Sequence, residues 1–276
     1  MPELPEVETV RRGLVPLLEG HRFARITVRR GDLRIALPGD FASRLEGRLV
    51  ETIGRRGKYL LFMLDDGHVV IGHLGMSGRL FLRPETGNRP GKHDHILFGT
   101  DEGREIVFND VRRFGLFAVT ERATLDAHPL LCDMGPDPLG TEFSGPALSK
   151  VLAARRSTIK ALLLDQHLVA GIGNIYACES LYRADISPKR LGASVAGARA
   201  ERLVLGIKSV LTEAIAAGGS SLRDYVQASG ELGYFQHAFS VYGREGEPCA
   251  SGAPNHVIRR IVQSGRSTFL CPKCQR

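Results

Sequence analysis

The hydrophobic pattern of this chain passes from mainly strand-like to mainly helical across a stretch rich in proline, glycine and aspartate from 129 to 141. Before it lie eight short β-rich stretches, at 23–30, 49–53, 59–64, 69–73, 79–82, 95–98, 105–108 and 115–120, parted by Gly, Asp or Pro turns. Strands this short and this closely spaced predict a sandwich or barrel. Leu4, Val7, Val10, Leu14, Leu17 and Leu18 precede them at helical spacing and predict a helix holding the N-terminus against that core. Beyond the stretch, 147–155, 158–165, 174–183 and 195–217 carry helical spacing, with a break at Ser187-Pro188. The expected fold is therefore α+β: a β-sandwich domain at 1–130, a linker at 131–140, a helical domain at 141–240 and a small Cys- and Arg-containing hairpin at 241–276. The segment 218–236 is glycine-, serine- and aromatic-containing and is expected to be a mobile loop.

At 276 residues and 43% hydrophobic composition, the chain is long enough for two ordinary domains with real cores. Lys and Arg outnumber Asp and Glu by 37 to 30, and the pI of about 9.4 favours a polyanionic partner. No apolar run approaches the roughly 18 residues of a membrane span, and the acidic N-terminus lacks a basic-then-apolar signal pattern. The protein is expected to be cytoplasmic. Its five cysteines, an odd number, do not suit a disulfide framework in a reducing compartment. Cys132 and Cys178 read as buried thiols.

Several short motifs carry chemistry. The chain opens Met1-Pro2-Glu3-Leu4-Pro5-Glu6. Once Met1 is removed, Pro2 carries a secondary α-amine with a pKa near roughly 8, a tenth or so of it neutral at pH 7. Attack of that amine on a sugar C1′ gives a charged iminium, an electron sink for elimination, and Glu3 is the nearest proton-transfer partner. The plainer alternative is that Pro2 permits methionine removal and starts a helix with Pro5. In Arg55-Arg56-Gly57-Lys58-Tyr59, Lys58 could meet a phosphate or a reacting sugar, or be a solvated strand end. Met76, in the turn His73-Leu74-Gly75-Met76-Ser77-Gly78-Arg79, is a wedge between bases or a residue packed on the neighbouring sheet. Arg112 and Phe114, in Asn109-Asp110-Val111-Arg112-Arg113-Phe114-Gly115, could fill a void in a duplex or stack there, the plainer alternative being that Phe114 is a strand-end core residue. Asn174 follows a glycine turn and is expected to mark the start of a helix, either as a cap suited to a phosphate or as a simple N-cap.

Cys271-Pro272-Lys273-Cys274 has zinc-knuckle spacing, with Cys249 upstream. A structural zinc site takes four ligands, and His256, seven residues after Cys249, is the candidate for the fourth. The alternative is a hairpin without metal. Arg266, where that hairpin would turn, could grip phosphate.

Taken together, the chain resembles the bacterial formamidopyrimidine-DNA glycosylases over essentially its full length. The resemblance rests on Pro-Glu-Leu-Pro-Glu-Val-Glu at 2–8, Gly-Lys-Tyr-Leu at 57–60, His-Leu-Gly-Met-Ser-Gly-Arg at 73–79, Arg-Arg-Phe-Gly at 112–115, Leu-Leu-Asp-Gln at 163–166, Ala-Gly-Ile-Gly-Asn-Ile-Tyr at 170–176 and the terminal finger. It implies a β-sandwich flanked by helices, a helix-two-turn-helix domain and a zinc finger, with damaged double-stranded DNA held between the halves of a monomer. It implies a base-excision-repair glycosylase and AP lyase for oxidised purines, with Pro2 as nucleophile, Glu3 as acid/base and Lys58 as a cation near the reacting nucleotide. His95, Arg112, Asn174, Lys160 and Arg266 would contact DNA, Met76, Arg112 and Phe114 would enter the duplex, and residues about 220–235 would cover the flipped base. Cys249, His256, Cys271 and Cys274 would hold one structural Zn2+. The family's second finger cysteine is missing here, with Pro254 or Asn255 near its place. Two other readings stay open: a glycosylase like endonuclease VIII, acting on oxidised pyrimidines, and a non-catalytic DNA-binding protein.

Overall fold

A computed structural model describes residues 2–83, 89–220 and 233–276. They divide into two compact units. The first runs to Asp133 and also takes in residues 217–220 and 233–234, and the second comprises Met134–Ala216 and Phe235–Arg276.

The first unit opens with α1, Leu4–Leu18, which buries Leu4, Val7, Val10, Leu14 and Leu18. Pro5 sits in its first turn, where a missing N–H is tolerated. The eight expected strands all form: β1 Phe23–Val28, β2 Val50–Arg56, β3 Tyr59–Leu64, β4 His68–His73, β5 Arg79–Leu82, β6 Asp94–Thr100, β7 Glu105–Asn109 and β8 Leu116–Glu121. They make two antiparallel four-stranded sheets, in the orders β1-β6-β7-β5 and β2-β3-β4-β8. One apolar core draws Phe23, Ile96, Phe98, Ile106 and Phe108 from the first sheet, Ile53, Leu60, Phe62, Val70 and Phe117 from the second, and the buried face of α1. Phe117 sits at its centre, edge-on to Phe108 with ring centroids 4.9 Å apart. The short helix α2, Phe41–Leu45, was not expected. Its one sequence signal is the pair Phe41 and Leu45, a helical turn apart and both buried.

The second unit contains α3 Gly145–Leu152, α4 Ile159–Leu163, α5 Asn174–Arg183, α6 Ala198–Ala216 and a hairpin of β9 Arg259–Gln263 and β10 Arg266–Leu270. Ser144 caps α3, its hydroxyl accepting from Ala147 N–H. No helix among the described residues is long and apolar enough to cross a membrane. The loop expected at 218–236 falls mostly on 221–232, outside the described residues. Its two flanks meet: Tyr234 N–H donates to Ala217 O at 3.0 Å, and Ser220 and Tyr234 form an antiparallel bridge.

Candidate active site and DNA-contact surfaces

In the first unit, Pro2 and Glu3 are buried at the start of α1. Glu3 is the helix N-cap, and its N–H donates to Glu6 Oε2 at 2.8 Å in a capping box. Glu6 is itself buried. Its Oε1 accepts from both the N–H and the hydroxyl of Ser220, at 2.8 and 2.9 Å. The carboxylate thus binds the terminus to the strand bridge that closes the flanks of 221–232. Met1 lies outside the described residues.

Lys58 follows Gly57 in the tight β2–β3 turn, where Gly57 has φ +56°. It is 7% exposed, which sets aside the solvated strand-end reading. The turn is fastened to α1 through Glu8. Arg55 donates to Glu8 at 3.1 Å and to Gly57 O at 3.0 Å, while Arg11 and Arg12 take the other bonds of the same carboxylate. Burial alone would raise the Glu8 pKa, but the bonds from Arg11 and Arg12 and the charges of Arg11 and Arg55 outweigh it and bring it down to about 2.

His73, at the end of β4, lies against Tyr59 with ring centroids 4.8 Å apart. Its Nδ1 accepts from Gly75 N–H at 3.0 Å, so that nitrogen carries no proton and the neutral ring has its N–H at Nε2. Burial first, then the charges of Lys58 and Arg34, lowers its pKa to about 4. Within its quoted motif, His73 had no role assigned. The signal available was its place two residues before a glycine turn.

The turns bearing Met76 and Arg112–Phe114 interlock. At Gly75, φ is +65°, and a Cβ would stand 2.4 Å from the Phe114 carbonyl carbon. At Gly115, one would stand 2.6 Å from the Phe108 ring. Asp110, fully buried, stitches the two together: it accepts from Ser77 Oγ at 2.5 Å, Arg112 N–H at 3.2 Å and Gly115 N–H at 2.8 Å. Met76 and Phe114 are 38% and 41% exposed, which disfavours the packed-on-the-sheet reading of Met76. The Arg112 guanidinium lies 4.6 Å from the Phe114 ring centroid. His95 is placed otherwise than a DNA ligand: it is 2% exposed and its Nε2 pairs with Asp110 O at 2.7 Å. It supports the same turn from inside.

In the second unit, the Gln166 side chain accepts from Gly171 N–H and donates to Ile172 O, fixing the glycine turn before α5. The N-cap is Gly173, not Asn174. Asn174 occupies the first helical position and its amide donates to Ser267 O at 2.9 Å. Lys160 is 1% exposed, and its ammonium donates to the same carbonyl at 3.0 Å and to Thr268 Oγ1 at 2.7 Å. In place of the expected phosphate contact the structure shows a strut: the buried ammonium is bonded to β10 through two of its N–H donors. Both side chains hold the strand that begins with Arg266, which is exposed at the hairpin turn.

Cys249, His256, Cys271 and Cys274 bring four ligand atoms within 4.8 Å of one another. Zn–S bonds of about 2.3 Å at tetrahedral angles require sulfurs about 3.8 Å apart. Cys249 Sγ and Cys274 Sγ are 3.7 Å apart, and His256 Nδ1 lies 3.3 Å from Cys274 Sγ. The set fits one structural zinc ion, with His256 standing where the missing cysteine would. Of the two other cysteines, Cys178 is buried as expected, but Cys132 is exposed, because it lies in a surface turn rather than facing a core.

Family models match the chain in three successive regions: the formamidopyrimidine-DNA glycosylase N-terminal domain at residues 1–117, the H2TH domain of that enzyme at 134–226, and a zinc finger found in FPG and IleRS at 256–276. The formamidopyrimidine-DNA glycosylase of Rhodospirillum centenum is 56% identical, with both chains fully covered. Among solved structures, the MutM (Fpg) protein of Thermus thermophilus is 41% identical over 99% of this chain and 98% of its own, with a TM-score of 0.87. Lactococcus lactis Fpg, solved with DNA containing an abasic site, is 34% identical over 99% of each chain, with a TM-score of 0.89. Matched from end to end at this identity, with the three family regions in succession, the chain belongs to the formamidopyrimidine-DNA glycosylase family.

Proposed function

We propose that this protein excises oxidised purines, 8-oxoguanine and formamidopyrimidines, from double-stranded DNA and then cleaves the strand, acting as a single chain in the cytoplasm. The observation that carries the reading is the buried Pro2-Glu3 terminus, fastened through Glu6 to Ser220 and through Glu8 and Arg55 to the turn of Lys58.

The reaction needs the damaged nucleotide out of the stack, at a cost of a few kcal/mol. Met76, Arg112 and Phe114 offset it by filling the void. The neutral Pro2 amine attacks C1′ as the glycosidic bond breaks, and the departing base takes the bonding pair and gains a proton. The amine loses its proton, and its lone pair then expels O4′, which keeps the C1′–O4′ bonding pair and gains a proton as the sugar ring opens to an iminium. Removal of a C2′ proton then expels the 3′ phosphate, and a second deprotonation expels the 5′ phosphate, leaving a one-nucleotide gap; water then adds to C1′ of the remaining iminium and frees the Pro2 amine and the unsaturated sugar aldehyde. Glu3 is the proton-transfer group and Lys58 the cation beside the reacting sugar. His73, held neutral, offers a fixed Nε2–H donor, and Arg266 grips phosphate. Zinc shapes the hairpin and takes no part in these steps.

Intact-mass measurement and borohydride trapping on 8-oxoguanine:C duplex test the reading. Met1 is expected to be absent, and Pro2→Gly to abolish the trapped adduct while lesion binding is largely kept. Undiminished trapping removes Pro2 from the mechanism, and faster nicking of thymine-glycol duplex reverses the choice of lesion class.

A further inference from the structure

The zinc ligands all come from the C-terminal tail, but a polar group from another element reaches one of them. Tyr182 Oη lies 3.1 Å from Cys249 Sγ. Asn174, Cys178 and Tyr182 follow one another at intervals of four along α5, which sets them on one face of the helix. That face tracks the tail along its length. Asn174 bonds the Ser267 carbonyl on β10, Cys178 packs in a buried cluster with Val241, Cys249, Ile258 and Cys271, and Tyr182 closes on the sulfur of Cys249. Glu179, beside this face, accepts the N–H groups of Ser240, Val241 and Tyr242 at 2.8 to 2.9 Å, so the chain entering the tail is held by the same helix.

The donor is settled by charge. With zinc bound, Cys249 is a thiolate and can only accept, so the hydroxyl must donate. Three thiolates and one neutral imidazole on a divalent ion leave the complex with one excess negative charge. A half-buried centre of that kind is stabilised by a hydrogen bond aimed at sulfur, and outer donors of this sort orient the ligand they touch.

We propose that Tyr182 is a positioning residue of the zinc site, donating its hydroxyl hydrogen to the Cys249 thiolate and so tying the metal centre to α5. The proposal rests on the four-ligand zinc assignment and adds a fifth residue to it.

Tyr182→Phe keeps the ring in the apolar cluster and deletes only the O–H. Zinc transfer from the full-length holoprotein to 4-(2-pyridylazo)resorcinol, followed by absorbance, reads retention. Iodoacetamide labelling of Cys249, followed by peptide mass, reads the exposure of its sulfur lone pairs. Tyr182→Phe should retain zinc about tenfold less tightly and label faster at Cys249. Tyr242→Phe, which deletes a neighbouring hydroxyl that faces Asn174, should do neither. Retention within twofold of wild type in Tyr182→Phe overturns the proposal. So does an equal loss in both variants, which would mark general loosening of the cluster. Wild-type protein isolated without zinc would overturn the metal assignment itself and this proposal with it.

Discussion

Glu6 and Ser220 lie 214 positions apart, and a single carboxylate oxygen of Glu6 receives both the main-chain N–H and the hydroxyl of Ser220. The other oxygen takes the N–H of Glu3, so Glu6→Ala strands three buried donors at once. We predict a loss of about 3 kcal/mol of stability, the range expected when buried polar groups lose their partner. Adduct trapping should fall more than DNA binding does. Urea unfolding and borohydride trapping of the same preparation check both parts, and an unchanged unfolding midpoint would contradict the first.

Acid should destabilise the first unit in two successive windows that meet between pH 4.5 and 4. The pKa of His73 is lowered from 6.5 to about 4 in the folded protein, so the unfolded chain takes up its proton first and stability falls as pH drops from 6.5 to 4. The pKa of Glu8 is lowered from 4.5 to about 2, so its contribution is complete above 4.5 and disappears as pH falls to 2. Each window is worth on the order of 3 kcal/mol at most, at 1.36 kcal/mol per pKa unit. His73→Gln should flatten the upper window alone and Glu8→Gln the lower one alone, in denaturant melts taken across pH.

Arg266→Ala should weaken binding to any duplex and reduce the slope of log affinity against log salt by about one, as for the loss of one phosphate contact. Lys160→Met should leave that slope nearer to wild type and lower the melting temperature instead, because its ammonium is bonded to β10. Fluorescence anisotropy over a salt series separates the two, and a full unit of slope lost in Lys160→Met would restore it as a phosphate ligand.

Met76→Ala and Phe114→Ala should slow excision of a paired lesion by at least tenfold while sparing cleavage at a preformed abasic site, where no base has to be extruded. Single-turnover rates on the two substrates decide it; equal slowing of both would remove the wedge role.

His256→Ala should lose most of its zinc through dialysis against a chelator while wild type keeps one ion per chain. A full complement in the variant would exclude His256 as an essential ligand.

The β-sandwich and α1 were legible because each strand and helix declares itself locally, through periodicity and turn residues. The zinc ligands were legible for a related reason, since ligand spacing is a local rule of coordination chemistry. What could not be read was where polar side chains end up across the fold. Lys160 and Asn174 meet one carbonyl that lies 107 and 93 residues further on, and His95 meets a carbonyl just past the end of the neighbouring strand. Nothing in the neighbourhood of Lys160 announces burial; a lysine on a short helix is ordinarily a solvated one. Glu6 is the same case, since its helix position suggests a cap and only the fold supplies Ser220.

The glycines at 75 and 115 carry a mechanical consequence. With no room for a methyl group where the two chain reversals cross, neither can slide past the other, and Asp110 locks them from beneath. Met76, Arg112 and Phe114 are therefore mounted on one interlocked pair of reversals, so that in the proposed extrusion of a base they would advance as a unit, like the cusps of one tooth.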